Sequence, residues 1–267
     1  MSRIHATKST YPKHPTQRRN AEAPSGDKTN ITTTTKDKPF SISPNRIKLG
    51  ILKDMTGKTY DIVLLPDDKI TKQAIELSEK LSREYPMRFT LNTTTVPHYS
   101  IYMAQLTEKG VEEAKKKIKA IAHEFSTFSL EATKYWQDSA EGFFEIQYER
   151  TPQLIALQEQ VIAAINPLRE GRFLAEYPPG YTKEEQQKKL TGNALAQFTK
   201  FAYPEIDEDY RPHMTFTRLQ EAAYATKIVT NLPEVTSFSG KFSSLGLFVM
   251  GHNGTCVTPD IYREALS

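Results

Sequence analysis

Beyond residue 57 the chain alternates short apolar runs with longer segments in which apolar positions recur every three or four residues. Residues 60–65 (YDIVLL) read as a buried strand, and residues 67–85 as a helix opened by acidic residues. A second strand is expected over 97–103, a lysine-rich amphipathic helix over 108–125 and a third strand over 128–136. The order then recurs. Residues 142–148 (GFFEIQY) form a strand and 152–166 a helix with proline in its first turn. Residues 211–219 form a strand, 220–231 a helix stopped by Pro233, and 238–250 a final strand. Each half thus reads β-α-β-α-β. The expectation is an α+β fold of two pseudo-symmetric lobes, residues 58–137 and 138–252, with the second strands of the two halves facing one groove.

The halves differ in length. Tyr60 to His98 spans 38 positions and Gly142 to His213 spans 71, which places an insertion at about residues 168–205. It contains a turn at Pro178-Pro179-Gly180 and one helix over 183–201. Beside a groove, such a segment serves either as a lid or as surface decoration.

Composition changes the picture mainly at the N-terminus. Residues 1–45 are rich in Ser, Thr, Pro and Lys and poor in large apolar residues, so they are expected to form a disordered tail ahead of a domain over 46–267. The tail holds eight basic and three acidic residues, a net +5, against +3 for the whole chain. The body is therefore slightly acidic, unlike a reader of duplex DNA, which carries positive charge on its fold. No apolar run is long enough to span a membrane, and residues 1–10 lack the apolar stretch of a secretory signal, so none is expected there. The single cysteine, Cys256, excludes an internal disulfide and any cysteine-based zinc cluster, and a reducing, cytoplasmic setting is expected. A monomer is expected.

Six histidines are present, and four have Ser or Thr two places on: His5, His14, His98 and His213. Context separates them. His5 and His14 lie in the polar tail. His98 and His213 each follow a proline and open an apolar stretch, Pro97-His98-Tyr99-Ser100-Ile101 and Pro212-His213-Met214-Thr215-Phe216. Strand alternation puts His98, Ser100 and Tyr102 on one face, and likewise His213, Thr215 and Thr217. Two such motifs on the second strands of two matched halves point to one shared active site. His123, on the lysine-rich helix, reads as solvent-facing, His252 as a loop residue and Arg211 as a surface charge.

The paired His-x-[Ser/Thr] motifs in this repeated arrangement resemble the two-histidine (2H) phosphoesterase superfamily, which includes bacterial 2′-5′ RNA ligases and RNA 2′,3′-cyclic phosphodiesterases. The segment Tyr210-Arg-Pro-His-Met-Thr-Phe-Thr-Arg218 carries the resemblance most closely, and it extends over about residues 58–250. Ser100 stands where threonine is commoner, and the insertion is longer than in compact members. The resemblance implies a bilobal fold and a metal-independent phosphodiesterase acting on a 2′,3′-cyclic phosphate or 2′-5′ linkage in a nucleotide or RNA end. It casts His98 and His213 as the acid–base pair. Ser100 and Thr215 become hydroxyl donors to the phosphate, Arg218 a charge against it, and Tyr102 a contact to base or phosphate. On a regular strand, however, the odd spacing of Arg218 from His213 puts it on the wrong face.

Other chemistries fit less well. Gly57-Lys58-Thr59 lacks the glycine at position 52 that a phosphate loop needs. No Gly-x-Ser-x-Gly elbow occurs. Neither histidine motif has further carboxylate or histidine ligands close in sequence, so no metal and no cofactor are expected. The competing reading from another class is a non-catalytic nucleotide- or RNA-binding module built on the same groove.

Overall fold

The computed structural model describes residues 57–174, 182–228 and 231–267. The expected tail, and the turn at Pro178-Pro179-Gly180, lie outside the described residues. The elements in chain order are β1 (Lys58–Pro66), α1 (Asp68–Glu84), β2 (Thr95–Val96), β3 (Tyr99–Leu106), α2 (Glu108–Glu124), β4 (Phe128–Leu130) and β5 (Ala132–Gln137). Then come β6 (Phe143–Tyr148), α3 (Pro152–Ile165), α4 (Lys183–Lys189), α5 (Gly192–Phe201), β7 (His213–Arg218), β8 (Gly240–Val249), β9 (Cys256–Val257) and β10 (Tyr262–Ala265).

The three long helices start where their sequences supply a cap. Asp67, Thr107 and Thr151 each accept a hydrogen bond from the third backbone N–H onward, and Pro152 fills the first helical position of α3. Each cap contributes on the order of 1 kcal/mol. Buried leucine, isoleucine, valine and alanine then line one face of each helix, against the sheets.

One sheet runs β10-β8-β1-β3, with β4 also paired to β8; the other runs β5-β6-β7; β2 and β9 form a separate two-stranded ribbon. The pairings are antiparallel. The two halves exchange strands. β5, from the first half, pairs with β6; β8, from the second, pairs with β1. Each central strand, β1 or β6, therefore has its own half's second strand on one side and a strand lent by the other half on the other side. One apolar core runs through both lobes, from Ile62, Leu64 and Ile101 to Phe144, Ile146 and Phe216.

Three expectations need correction. The single strand over 128–136 is two strands in different sheets, because the chain crosses between lobes at Glu131. The helix over 220–231 is only a 3-10 turn, Ala222–Lys227. β-Branched Thr226 and Ile228 are poor helix formers in so short a segment. The helix over 183–201 is split into α4 and α5 at Leu190 and Thr191, both extended, and Gly192, with φ of +56°, opens α5.

Candidate active site

β3 and β7 lie against one another and carry the two motifs. Both strands contain a bulge, at the same place. On β3, Ser100 pairs with Val63 and Tyr102 with Ile62, leaving Ile101 extra. On β7, Thr215 pairs with Glu145 and Thr217 with Phe144, leaving Phe216 extra. A bulge inverts the alternation beyond it. The expected faces are thereby corrected. Tyr102 and Thr217 turn away from the site. Tyr102 is fully buried, and its hydroxyl donates to the carbonyl of Phe201 at 2.7 Å, so it ties α5 to β3. Thr217 donates to the carbonyl of Phe89 at 2.8 Å. Arg218, in contrast, comes back to the face of His213 and Thr215. Its pseudo-equivalent in the first lobe is Met103.

The bulged carbonyls are buried and need partners. Gln158 of α3 donates to Ile101 O at 3.2 Å, and Ser78 of α1 donates to Phe216 O at 2.8 Å. Each bulge is held by a polar side chain from the first helix of the other half. Leaving such a carbonyl unpaired costs about 1–3 kcal/mol.

The two imidazoles are fixed in the same way. His98 Nδ1 lies 2.9 Å from the carbonyl of Val96, and His213 Nδ1 lies 2.6 Å from that of Arg211. A carbonyl only accepts, so Nδ1 carries the hydrogen and Nε2 presents its lone pair. The side chains keep 11% and 19% of their surface exposed, enough for Nε2 to meet a substrate. Tyr210 bridges the motifs, its hydroxyl donating to the carbonyl of Ser100 at 3.3 Å.

Under each motif lies a buried carboxyl group on the central strand. Asp61 Oδ2 is 2.7 Å from Ser100 Oγ and 3.8 Å from His98 Nε2. Glu145 Oε1 is 3.4 Å from Thr215 Oγ1 and 3.6 Å from His213 Nε2. The two carboxyls are not at matching positions, since Glu145 pairs with Thr215 whereas Val63, two residues beyond Asp61, pairs with Ser100, and their electrostatics are opposite. Burial pushes Asp61 up to about 8, against smaller opposing effects of its hydrogen bonds with Ser100 and Cys256. Burial also works against ionisation of Glu145, but the Arg211 and His213 charges and the hydrogen bonds from Arg211 and Thr215 outweigh it and hold this carboxyl below its usual range. Arg211 is thus no idle surface charge; its guanidinium sits 2.5 Å from Glu145 Oε2 and 4.2 Å over the Trp136 ring. His98 is held below the ordinary imidazole value, first by burial and also by the nearby His213 charge, while the backbones of Val96 and Gly254 act the other way.

Arg218 is largely buried. Nη2 is 2.7 Å from Glu141 Oε2, Nε donates to the Glu141 carbonyl at 2.9 Å, and Nη1 reaches Asn253 at 3.3 Å. The turn His252–Gly254 therefore stands between Arg218 and His98. His123 is exposed and lies 3.2 Å from Glu264.

Residues 103–255 match the family described as "Protein of unknown function (DUF1045)". The chain belongs to the DUF1045 family. No curated protein matches the sequence of this DUF1045 member. Its fold is similar to a crystal structure described as a phosphoesterase, with a TM-score of 0.51 and 14% identity, covering 79% of this chain and 99% of that one. Escherichia coli LigT complexed with NADP+ gives 0.48 at 14% identity over 79% and 98% of the two chains. Kluyveromyces marxianus Usb1 gives 0.41 at 12% identity over 79% and 98%. At these identities the likeness is one of fold, and the α+β architecture is the one expected from the paired motifs.

Three residues of the site escaped the sequence reading: Asp61, Glu145 and Arg211. Neither motif has a carboxylate close in sequence, and both carboxylates arrive from a neighbouring strand. A signal existed. Asp61 and Glu145 are lone acids in otherwise apolar strands, each followed by isoleucine.

Proposed function

We propose that this protein is a metal-independent phosphodiesterase that opens a 2′,3′-cyclic phosphate, or cleaves a 2′-5′ linkage, at a nucleotide or RNA end. The supporting observation is the pair of imidazoles on equivalently bulged strands, each with Nδ1 bound to a carbonyl and Nε2 presented to one groove. His98, held below the ordinary imidazole value by burial, is the base. His213 is the acid, with ionised Glu145 as countercharge to its imidazolium. Water gives its proton to His98 Nε2 while its oxygen attacks phosphorus. The bond to one ribose oxygen breaks, and that oxygen takes the proton from His213 Nε2. Ser100 Oγ, which donates to Asp61 Oδ2 in the structure, turns its hydrogen to a phosphate oxygen when substrate is bound. Thr215 and Arg218 meet the same charge from the second lobe.

The test is turnover of 2′,3′-cyclic nucleotides and 2′-5′ dinucleotides with a chelator present. His98→Ala and His213→Ala should each lower kcat by roughly 10²–10⁴-fold. Tight binding with no turnover by the wild type would make the protein a binding module instead, and turnover abolished by the chelator would contradict the metal-free mechanism.

A further inference from the structure

Among the described residues, Asp61, His98 and Cys256 form one cluster in which a donor atom from each lies within 4.8 Å of the others. His98 Nε2 and Cys256 Sγ stand 3.8 and 3.9 Å from the same oxygen, Asp61 Oδ2. We propose that this cluster is a zinc site, and that Zn²⁺ bound there inhibits the enzyme by occupying the lone pair of His98. The inhibitory part rests on the reading of His98 as a catalytic residue; the binding part does not.

The donor set is one carboxylate oxygen, one imidazole nitrogen and one sulfur, which suits a borderline-soft divalent ion and not Mg²⁺ or Ca²⁺. Bond lengths of about 2.0–2.3 Å to zinc imply donor separations of roughly 3.3–3.8 Å in a tetrahedron; the two separations from Asp61 Oδ2 come within a few tenths of an ångström of this range, and His98 and Cys256, within 4.8 Å of one another, close on each other by up to about 1 Å. The outer contacts are in place. His98 Nδ1 is bound to the carbonyl of Val96, as a metal-bound imidazole requires of its other nitrogen, and Ser100 holds Asp61 Oδ2 at 2.7 Å. β2 and β9 pair Val96 with Cys256, so one ribbon fixes both the imidazole anchor and the thiol.

Two further observations point to a missing cation. Asp61 Oδ1 is buried with no hydrogen-bond partner. The carboxyl under the second motif, Glu145, has a positive charge from Arg211, while no lysine or arginine among the described residues is ion-paired with Asp61. The second lobe, with its arginine, does not need a metal, so one ion per chain is expected. Three protein donors leave a fourth position for water or a substrate oxygen, reached through the exposed edge of His98. Binding replaces the thiol proton of Cys256, and any proton on Asp61, which pass to solvent.

The metal-free full chain is titrated with Zn²⁺ against a chromophoric chelator, and with Co²⁺ for its spectrum. One Zn²⁺ per chain is expected, with a thiolate-to-cobalt charge-transfer band. Cys256→Ser should lose the band and weaken zinc by roughly 100-fold or more, since even outer contacts are worth 10–100-fold, yet keep its turnover in chelator. Asp61→Asn tests binding through a second residue should the serine variant fail to fold. Absence of stoichiometric zinc, or zinc binding unchanged in Cys256→Ser, would overturn the site. Zinc bound as described with turnover unaffected at saturation would overturn the inhibition. A zinc-binding chain with no turnover on any substrate would support the site while refuting the phosphodiesterase reading.

Discussion

The guanidinium of Arg211 stands 2.5 Å from the carboxylate of Glu145, one residue on the approach to the second motif and the other on the central strand beneath it. Removing the arginine leaves a buried anion without its cation. Arg211→Ala is expected to cost about 3 kcal/mol, the low end for a broken buried pair because the guanidinium is partly exposed. Urea unfolding measures it. An unchanged midpoint would mean that water replaces the arginine at no cost.

The same carboxyl group sets an acid limit. The pKa of Glu145 lies below its ordinary 4.5 in the folded chain, so its contribution is complete above that value and is lost as pH falls through the depressed one. Glu145→Gln should flatten the acid side of the stability curve measured by thermal unfolding between neutral pH and pH of about 3. A curve parallel to that of the wild type would assign the acid loss to other groups.

Ser78→Ala and Gln158→Leu each orphan one bulged carbonyl. Each should cost about 1–3 kcal/mol, with Ser78 at the upper end because its oxygen also accepts from Leu91 N at 2.9 Å. Loss of Ser78 disturbs the strand of His213, and loss of Gln158 the strand of His98. Histidine-specific NMR shifts should therefore move at one ring in each variant, and movement at both rings equally would argue against this local control.

Tyr102→Phe is expected to leave kcat and KM unchanged and to lower stability by about 0.5–1.5 kcal/mol, since it removes only the hydroxyl that holds Phe201. A fall in kcat would return Tyr102 to the list of substrate contacts.

Arg218→Met puts in the second lobe what the first lobe has at Met103. A drop in kcat/KM of roughly 10²-fold is expected if the guanidinium faces the developing charge. Glu141→Gln, which frees the same arginine from its carboxylate at 2.7 Å, separates a lost substrate contact from a lost ion pair. It should leave kcat/KM close to that of the wild type.

The sequence was most readable where one local pattern determines the outcome. The period of α1, α2 and α3 and their capping residues place these helices within a residue or two. His98 and His213 stand out from His5 and His14 by strand context alone. Faces beyond the bulges were not readable, because one extra residue at Ile101 or Phe216 reverses every later side chain and leaves no composition signal. That single effect misplaced Tyr102 and Thr217 and made the spacing of Arg218 look unfavourable. Asp61 and Glu145 belong to the sites of motifs dozens of residues away, so only strand pairing, which is a long-range property, brings them there.

The exchange of β5 and β8 makes assembly of this site an event of the whole chain. Neither half, cut free, contains a complete sheet: the first lacks the strand that covers β1, and the second lacks the one that covers β6. An amino-terminal half emerging during synthesis has its central strand bare on one edge until β8 arrives. The spacing of the two imidazoles is then set by strands that each half lends the other, so no hinge between independent bodies is available to change it.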